Sequence, residues 1–246
     1  MRRQWRHVLS AAAAVAGAAL LAMGAALAFA GSAAAGAKAR DQAVYTTSQA
    51  GYVTGGGRHF RFVTATVRVA PAQPQKAGYA GIVLGGAGIT EPATLLAGAG
   101  GGFVGWNFSG WPSLMAGARL NLSPKVGDLL RLSIYYDQHG HVYFTAAGVT
   151  SGTSDTFKAP VRSGTLYTAA EVAGFDWYRT AAPRTSFRLW AVSGIRVTTY
   201  TGVRGTMLGP WATSKILHTT TGGAGGAVVT YPSGLWRSGQ NFGVWR

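Results

Sequence analysis

The sequence predicts an all-β fold, a sandwich or barrel of antiparallel strands, and three observations predict it. Several segments alternate apolar and polar residues with period two or run β-branched and aromatic. Amphipathic helical periodicity is absent after the first forty residues. Gly, Pro, Asn and Asp punctuate the chain every eight to twelve residues, the rhythm of a sandwich or barrel.

The N-terminus stands apart. Arg2, Arg3 and Arg6 precede an uncharged run of Ala, Gly, Leu, Val and Met over 8–30, and small residues follow. A basic start, an apolar stretch and an A-x-A site make a secretory signal peptide, forming a signal helix over 1–39 and cleaved after Ala35 or Ala39. The alternative is an uncleaved anchor, since the run is about long enough to span a bilayer. The expected mature chain, 40–246, is one extracellular β-sandwich domain; a membrane is touched only through the leader, if that is uncleaved. It has no cysteine, so an apolar core must hold it without disulfides.

The elements follow in order. Residues 59–69 (HFRFVTATVRV) put Val63, Ala65, Val67 and Val69 on one face. Strands are expected at 79–84 and 103–107. Residues 129–137 (LLRLSIYYD) bury Leu130, Leu132, Ile134 and Tyr136 and expose Arg131, Ser133 and Tyr135. Residues 138–140 turn the chain, and 141–147 (HVYFTAA) return with Val142, Phe144 and Ala146 inward, an antiparallel hairpin with one wet face. Further strands are expected at 166–173, 186–192, 195–201, 227–231 and 241–245. The glycine clusters at 55–57, 98–102 and 222–226 read as loops.

Composition restricts the chemistry. Lys and Arg number 22 against seven carboxylates, a formal net charge of +15. That balance favours anionic surfaces such as cell-wall polymers and acidic glycans. The basic residues are dispersed in no long run, so no specific nucleic-acid partner is expected. A thiol nucleophile is impossible, and no G-x-S-x-G is present. Gly100-x-Gly102-x-x-Gly105 matches the dinucleotide fingerprint in letters only, because the WNFSGWP that follows cannot open a helix. Asp137, His139 and His141 are metal-ligand types close together, but their composition is also that of a turn. No metal or cofactor is expected. Asn107 and Asn121 head glycosylation sequons. The tryptophans read chiefly as core and turn plugs, with an exposed row of Trp and Tyr that stacks on sugar rings as the alternative.

Glu171 is the sharpest candidate. It is one of two glutamates, with Glu91, and lies in mid-strand in GTLYTAAEVAG, sharing a face with Tyr167, Ala169 and Ala173. A carboxylate there is disfavoured unless it is solvated, paired with a cation such as Arg188, or set in a groove where burial tunes it for acid–base work. A paired-carboxylate glycosidase would need Glu91, Asp128 or Asp176 within about 5–10 Å of it.

The order of segments resembles the glutamic peptidases, the eqolisins. The pieces are Ser48-Gln-Ala-Gly-Tyr52, Phe62 to Pro71 (FVTATVRVAP), Tyr79-Ala-Gly-Ile-Val83, Pro124-Lys-Val-Gly-Asp128 leading into 129–136, and Ala170-Glu171-Val172. The resemblance implies an antiparallel β-sandwich of the concanavalin A-like (jelly-roll) type and a polypeptide substrate. It also implies a Glu that acts as general base and a Gln that helps hold the attacking water and polarise the oxyanion. Glu171 falls at the Glu. Leu96 falls at the Gln, and a leucine can do neither task. Gln49 replaces the tryptophan of the opening pattern and offers in principle an amide from a neighbouring strand; Val83 replaces an aspartate. The expectation is an acid endopeptidase-like protein with reduced or no activity. The alternative is a non-catalytic module that binds cell-envelope polysaccharide or acidic glycan.

Overall fold

The computed structural model describes residues 43–46, 49–69, 77–86, 92–98, 103–105, 120–162, 164–177 and 190–245. Every regular element among them is a strand. In chain order these are β1 (Ala43–Thr46), β2 (Gln49–Gly55), β3 (Phe60–Arg68), β4 (Ala77–Gly85), β5 (Ala93–Gly98), β6 (Phe103–Gly105), β7 (Leu129–Tyr136) and β8 (His141–Gly148). Then come β9 (Ser154–Pro160), β10 (Ala169–Trp177), β11 (Trp190–Thr199), β12 (Arg204–Gly205), β13 (Ala212–Thr219), β14 (Val228–Pro232) and β15 (Phe242–Trp245). No described helix is long and apolar enough to cross a membrane. The leader and the expected strand residues 186–189 lie outside the described residues.

One run of pairing, β6-β5-β4-β10-β2-β13, continues through β14 into β15-β11-β3-β7-β8-β9. All these pairs are antiparallel; β1 joins β13 in parallel and β12 joins β11. The two halves face each other across one apolar cluster, which is how a β-sandwich packs. Even-numbered residues of the first half (Tyr52, Ile82, Leu84, Val172) meet Val63, Val67, Leu132 and Ile134 of the second. Burying each of the larger side chains contributes roughly 1.5–3 kcal/mol.

The expected hairpin forms at β7 and β8, with Val142, Phe144 and Ala146 inward. Its turn places Gln138 at φ 67° and Gly140 at φ 91°. Three expectations need correction. The strand carrying Glu171 starts at Ala169, not at 166. Tyr167 therefore precedes it and enters the main core, while Leu166 is exposed. The segments expected at 186–192 and 195–201 are one strand, β11, because Gly194 (φ 62°) absorbs a register shift between Ser193 and Arg196 without ending the pairing. Strands β1, β2, β5, β9, β12 and β13 were not anticipated.

Asp137, His139 and His141 do come together, as a turn. The Asp137 carboxylate accepts the backbone N–H of His139 at 2.7 Å and of His141 at 3.0 Å, and the His141 ring lies 3.2 Å away. Partial burial opposes ionisation, but these hydrogen bonds and the imidazole outweigh it and hold the carboxyl below its ordinary value. A depressed carboxylate stabilises the fold above its unfolded pKa, and that support is lost as pH falls through the folded value. Asp137→Ala is expected to cost roughly 1–2 kcal/mol at neutral pH and much less in strong acid. Urea titrations at both pH values check this.

Candidate functional site

Strands β2, β4, β5 and β10 are buried on both faces over their described residues. One face serves the main core. The other builds a second cluster of Val44, Val53, Val83, Leu96, Ala169, Ala173 and Ile216. Every residue of β2 is buried, which is why period-two reading passes over it.

Glu171 belongs to this second face. On β10 it is in register with Val53 of β2 and Val83 of β4. One rung along β10, Ala173 stands between Gly51 and Gly81. Small residues thus leave room beside the carboxyl while two valines wall it. The side chain is 3% exposed, and Oε1 has no hydrogen-bond partner among the described residues. Burial pushes its pKa up to about 8, because a carboxylate charge is poorly solvated there. The solvated alternative is thereby overturned. Arg188 lies outside the described residues.

The rung through Glu171 continues past Val83 to Thr94 of β5. Two strand spacings separate the Cα atoms of Thr94 and Glu171, about 10 Å. Thr94 is 1% exposed and its hydroxyl also lacks a partner. Two buried polar groups without partners thus flank Val83 on one face. Sequence reading missed Thr94. The signal was its register with Val83 and Glu171, which pairing reveals and periodicity does not.

Leu96 is on the same face, one rung on from Thr94 and in register with Gly81. Gln49 pairs with Phe175, four residues along β10 from Glu171, or roughly 14 Å at strand rise. Gln49 is 1% exposed and its Oε1 is unpartnered. Its backbone N–H and C=O are both held by the Thr46 hydroxyl, at 2.9 and 3.0 Å. It shares the face of Glu171, but the Gly51–Ala173 rung lies between them.

The paired-carboxylate arrangement gains no support. Asp176 is five residues further along β10, roughly 17 Å away. Asp128 lies in the other half of the sandwich, behind the sheet, where it accepts the Lys125 N–H at 2.7 Å. Glu91 lies outside the described residues. No cluster of three metal-ligating side chains occurs among the described residues.

No protein-family model matches the sequence, and no curated protein matches it significantly. Solved structures do. SCP-B, a member of the eqolisin family of peptidases in complex with the tripeptide Ala-Ile-His, aligns over 81% of this chain and 98% of its own, with a TM-score of 0.59 and 16% identity. Scytalido-glutamic peptidase bound to a transition-state analogue inhibitor aligns over 80% and 98%, with a TM-score of 0.59 and 18% identity. The chain has the fold of the glutamic peptidases. At this identity the eqolisin likeness is one of architecture, and it extends over nearly the whole of the solved eqolisin chains. Within that eqolisin frame, Glu171 is a buried mid-strand acid and Leu96 an apolar neighbour on its face.

Proposed function

We propose that this chain is a glutamic-peptidase-like hydrolase of polypeptides, of the concanavalin A-like sandwich class, in which Glu171 is the general base. The observation that carries the reading is a carboxyl buried on one face of the sheet, its Oε1 without a partner among the described residues, within an eqolisin-like fold. Thr94 and Ser214 each lie two strands away on its rung; Thr94, the one fully buried without a partner, takes part of the water-holding task that an amide would perform. Gln49 is too far along the sheet to share the same water. The proposal includes a leader over 1–39, export, and a single domain over 40–246.

The missing amide sets the expected activity. A general base must be ionised, and Glu171 is mostly neutral below about pH 8. Cleavage is therefore expected to be weak in acid and to rise with pH toward that value, unlike the acid optimum the resemblance implies. The assay is kcat/KM on a denatured protein or a fluorogenic peptide library from pH 3 to 9. Glu171→Gln is expected to lower kcat/KM at least about a hundredfold, and Thr94→Val about tenfold. Unchanged cleavage in Glu171→Gln removes the site assignment. Absence of cleavage in the wild type across the whole range removes the peptidase reading.

A further inference from the structure

The outer face of the second half of the sandwich carries a row that the peptidase reading does not use. Backbone register aligns Arg204 (β12), Thr198 (β11), Phe62 (β3), Tyr135 (β7), Tyr143 (β8) and Lys158 (β9) on one rung. Three adjacent aromatic residues thus lie across the strands, with a cation at each end. Tyr135 is 39% exposed. Its ring centroid is 6.0 Å from that of Tyr143, and the Lys158 ammonium lies 5.4 Å from the Tyr143 centroid.

The neighbouring rung is a ladder of hydroxyls: Thr64, Ser133, Thr145 and Thr156. Ser133 donates to Thr64 at 2.9 Å, and Thr145 and Thr156 are 2.9 Å apart. Arg196, in register with Thr64, and Arg131 on the next rung are both exposed. No carboxylate occupies an outward register position of β3, β7, β8, β9, β11 or β12. Asp155 pairs with Ala146, on the alternate set of positions, and accepts the Asn121 N–H. Beyond the rings the next rung holds the Asp137 carboxylate, engaged by His141 and two backbone N–H groups; elsewhere the rings and hydroxyls are bordered by Arg131, Arg196, Arg204 and Lys158, a face not accounted for by core packing.

We infer that this face binds a linear acidic polysaccharide, laid across the strands. Neighbouring strands are about 4.8 Å apart, close to the length of one pyranose residue, so successive sugars meet successive aromatic residues. Sugar C–H faces would lie over the rings, sugar hydroxyls would bond to the adjacent ladder, and carboxylates would meet Lys158, Arg204 and the flanking arginines. Single-stranded nucleic acid would stack on the same exposed ring faces but leaves the hydroxyl ladder unused, and the test separates the two.

The test is calorimetric titration of the intact protein with alginate oligosaccharides, neutral cello-oligosaccharides and an oligo-dT of similar length, at low and high salt. Uronate binding is expected to weaken at least tenfold in Tyr135→Ala and in Lys158→Glu, and with added salt. Arg204→Glu, at the other end of the row, is expected to weaken it too. Glu171→Gln is expected to bind as the wild type does, which separates this surface from the peptidase site. Tyr135, Lys158 and Arg204 are exposed side chains, and circular dichroism verifies that each variant is folded. The inference is overturned if uronate does not bind, if these variants bind as well as the wild type, or if cello-oligosaccharide or oligo-dT binds as tightly.

Discussion

Glu171→Gln is expected to make the protein more stable than the wild type at pH 9 and no more stable at pH 4. The folded carboxyl titrates near 8, while an exposed glutamate titrates near 4.5. Between those values the unfolded chain gives up the proton and the folded chain keeps it. Fewer protons on the unfolded state mean that stability falls as pH rises, by up to about 1.4 kcal/mol per pH unit. The contribution is fully present below about 4.5 and is lost as pH climbs through about 8. A glutamine has the same shape and no charge to bury, so it escapes the whole decline. Its amide N–H groups find no partner in the same apolar surroundings, a cost of roughly 1–3 kcal/mol that does not vary with pH. The two stability curves should therefore cross, with the variant ahead by a few kcal/mol in base. Urea denaturation at one-unit intervals from pH 4 to 9 measures this directly. Parallel curves would mean that Glu171 titrates as a solvated acid, and the acid–base role would go with it.

How much of this was legible beforehand depended on whether a strand had one dry face or two. Strands β3, β7 and β8 alternate because one side meets the core and the other meets water, and the sequence shows them almost to the residue. Strands β2, β5 and β10 lie in the half that is covered on both sides, so Gln-Ala-Gly-Tyr-Val-Thr-Gly and Ala-Thr-Leu-Leu-Ala-Gly carry no period. Glu171 was conspicuous because acids are scarce, and its burial could be posed as one of two outcomes. Thr94 was invisible: its importance comes from lying two strands away on the same rung, a relation between residues 77 positions apart. The aromatic row at Phe62, Tyr135 and Tyr143 was hidden for the same reason. Each member reads as an ordinary strand residue, and a sugar-stacking row of Trp and Tyr expected from composition carries no information about which strands lie side by side. Trp211 instead packs on Phe60 at 5.4 Å and donates to the Thr206 carbonyl at 3.1 Å, the plug role anticipated for it.

The geometry that brings Glu171 to its place rests on Gly51, and Gly51→Ala should be among the most damaging single substitutions in the chain. A Cβ there would lie 2.5 Å from the Cα and 2.7 Å from the Cβ of Ala173 and would collide with the Val172 carbonyl oxygen. These atoms belong mostly to the backbone of β10, so no side-chain rotation relieves the contact. The strand itself must shift, yet its other edge is paired with β4 along nine residues. Forcing volume into such a place typically costs 1–3 kcal/mol and sometimes more; with backbone as the obstacle, about 3 kcal/mol or greater is expected. Displacing β10 also opens the surroundings of Glu171 to water, which should draw its pKa back toward the ordinary glutamate range and flatten the pH dependence described above. Gly234→Ala is the matched control, because a Cβ at Gly234 meets nothing within 4 Å and its φ is not positive. Denaturant midpoints compare the two. If Gly51→Ala is as stable as Gly234→Ala, then β2 and β10 do not approach this closely, and the rungs that place Thr94, Val83, Glu171 and Val53 side by side would have to be redrawn.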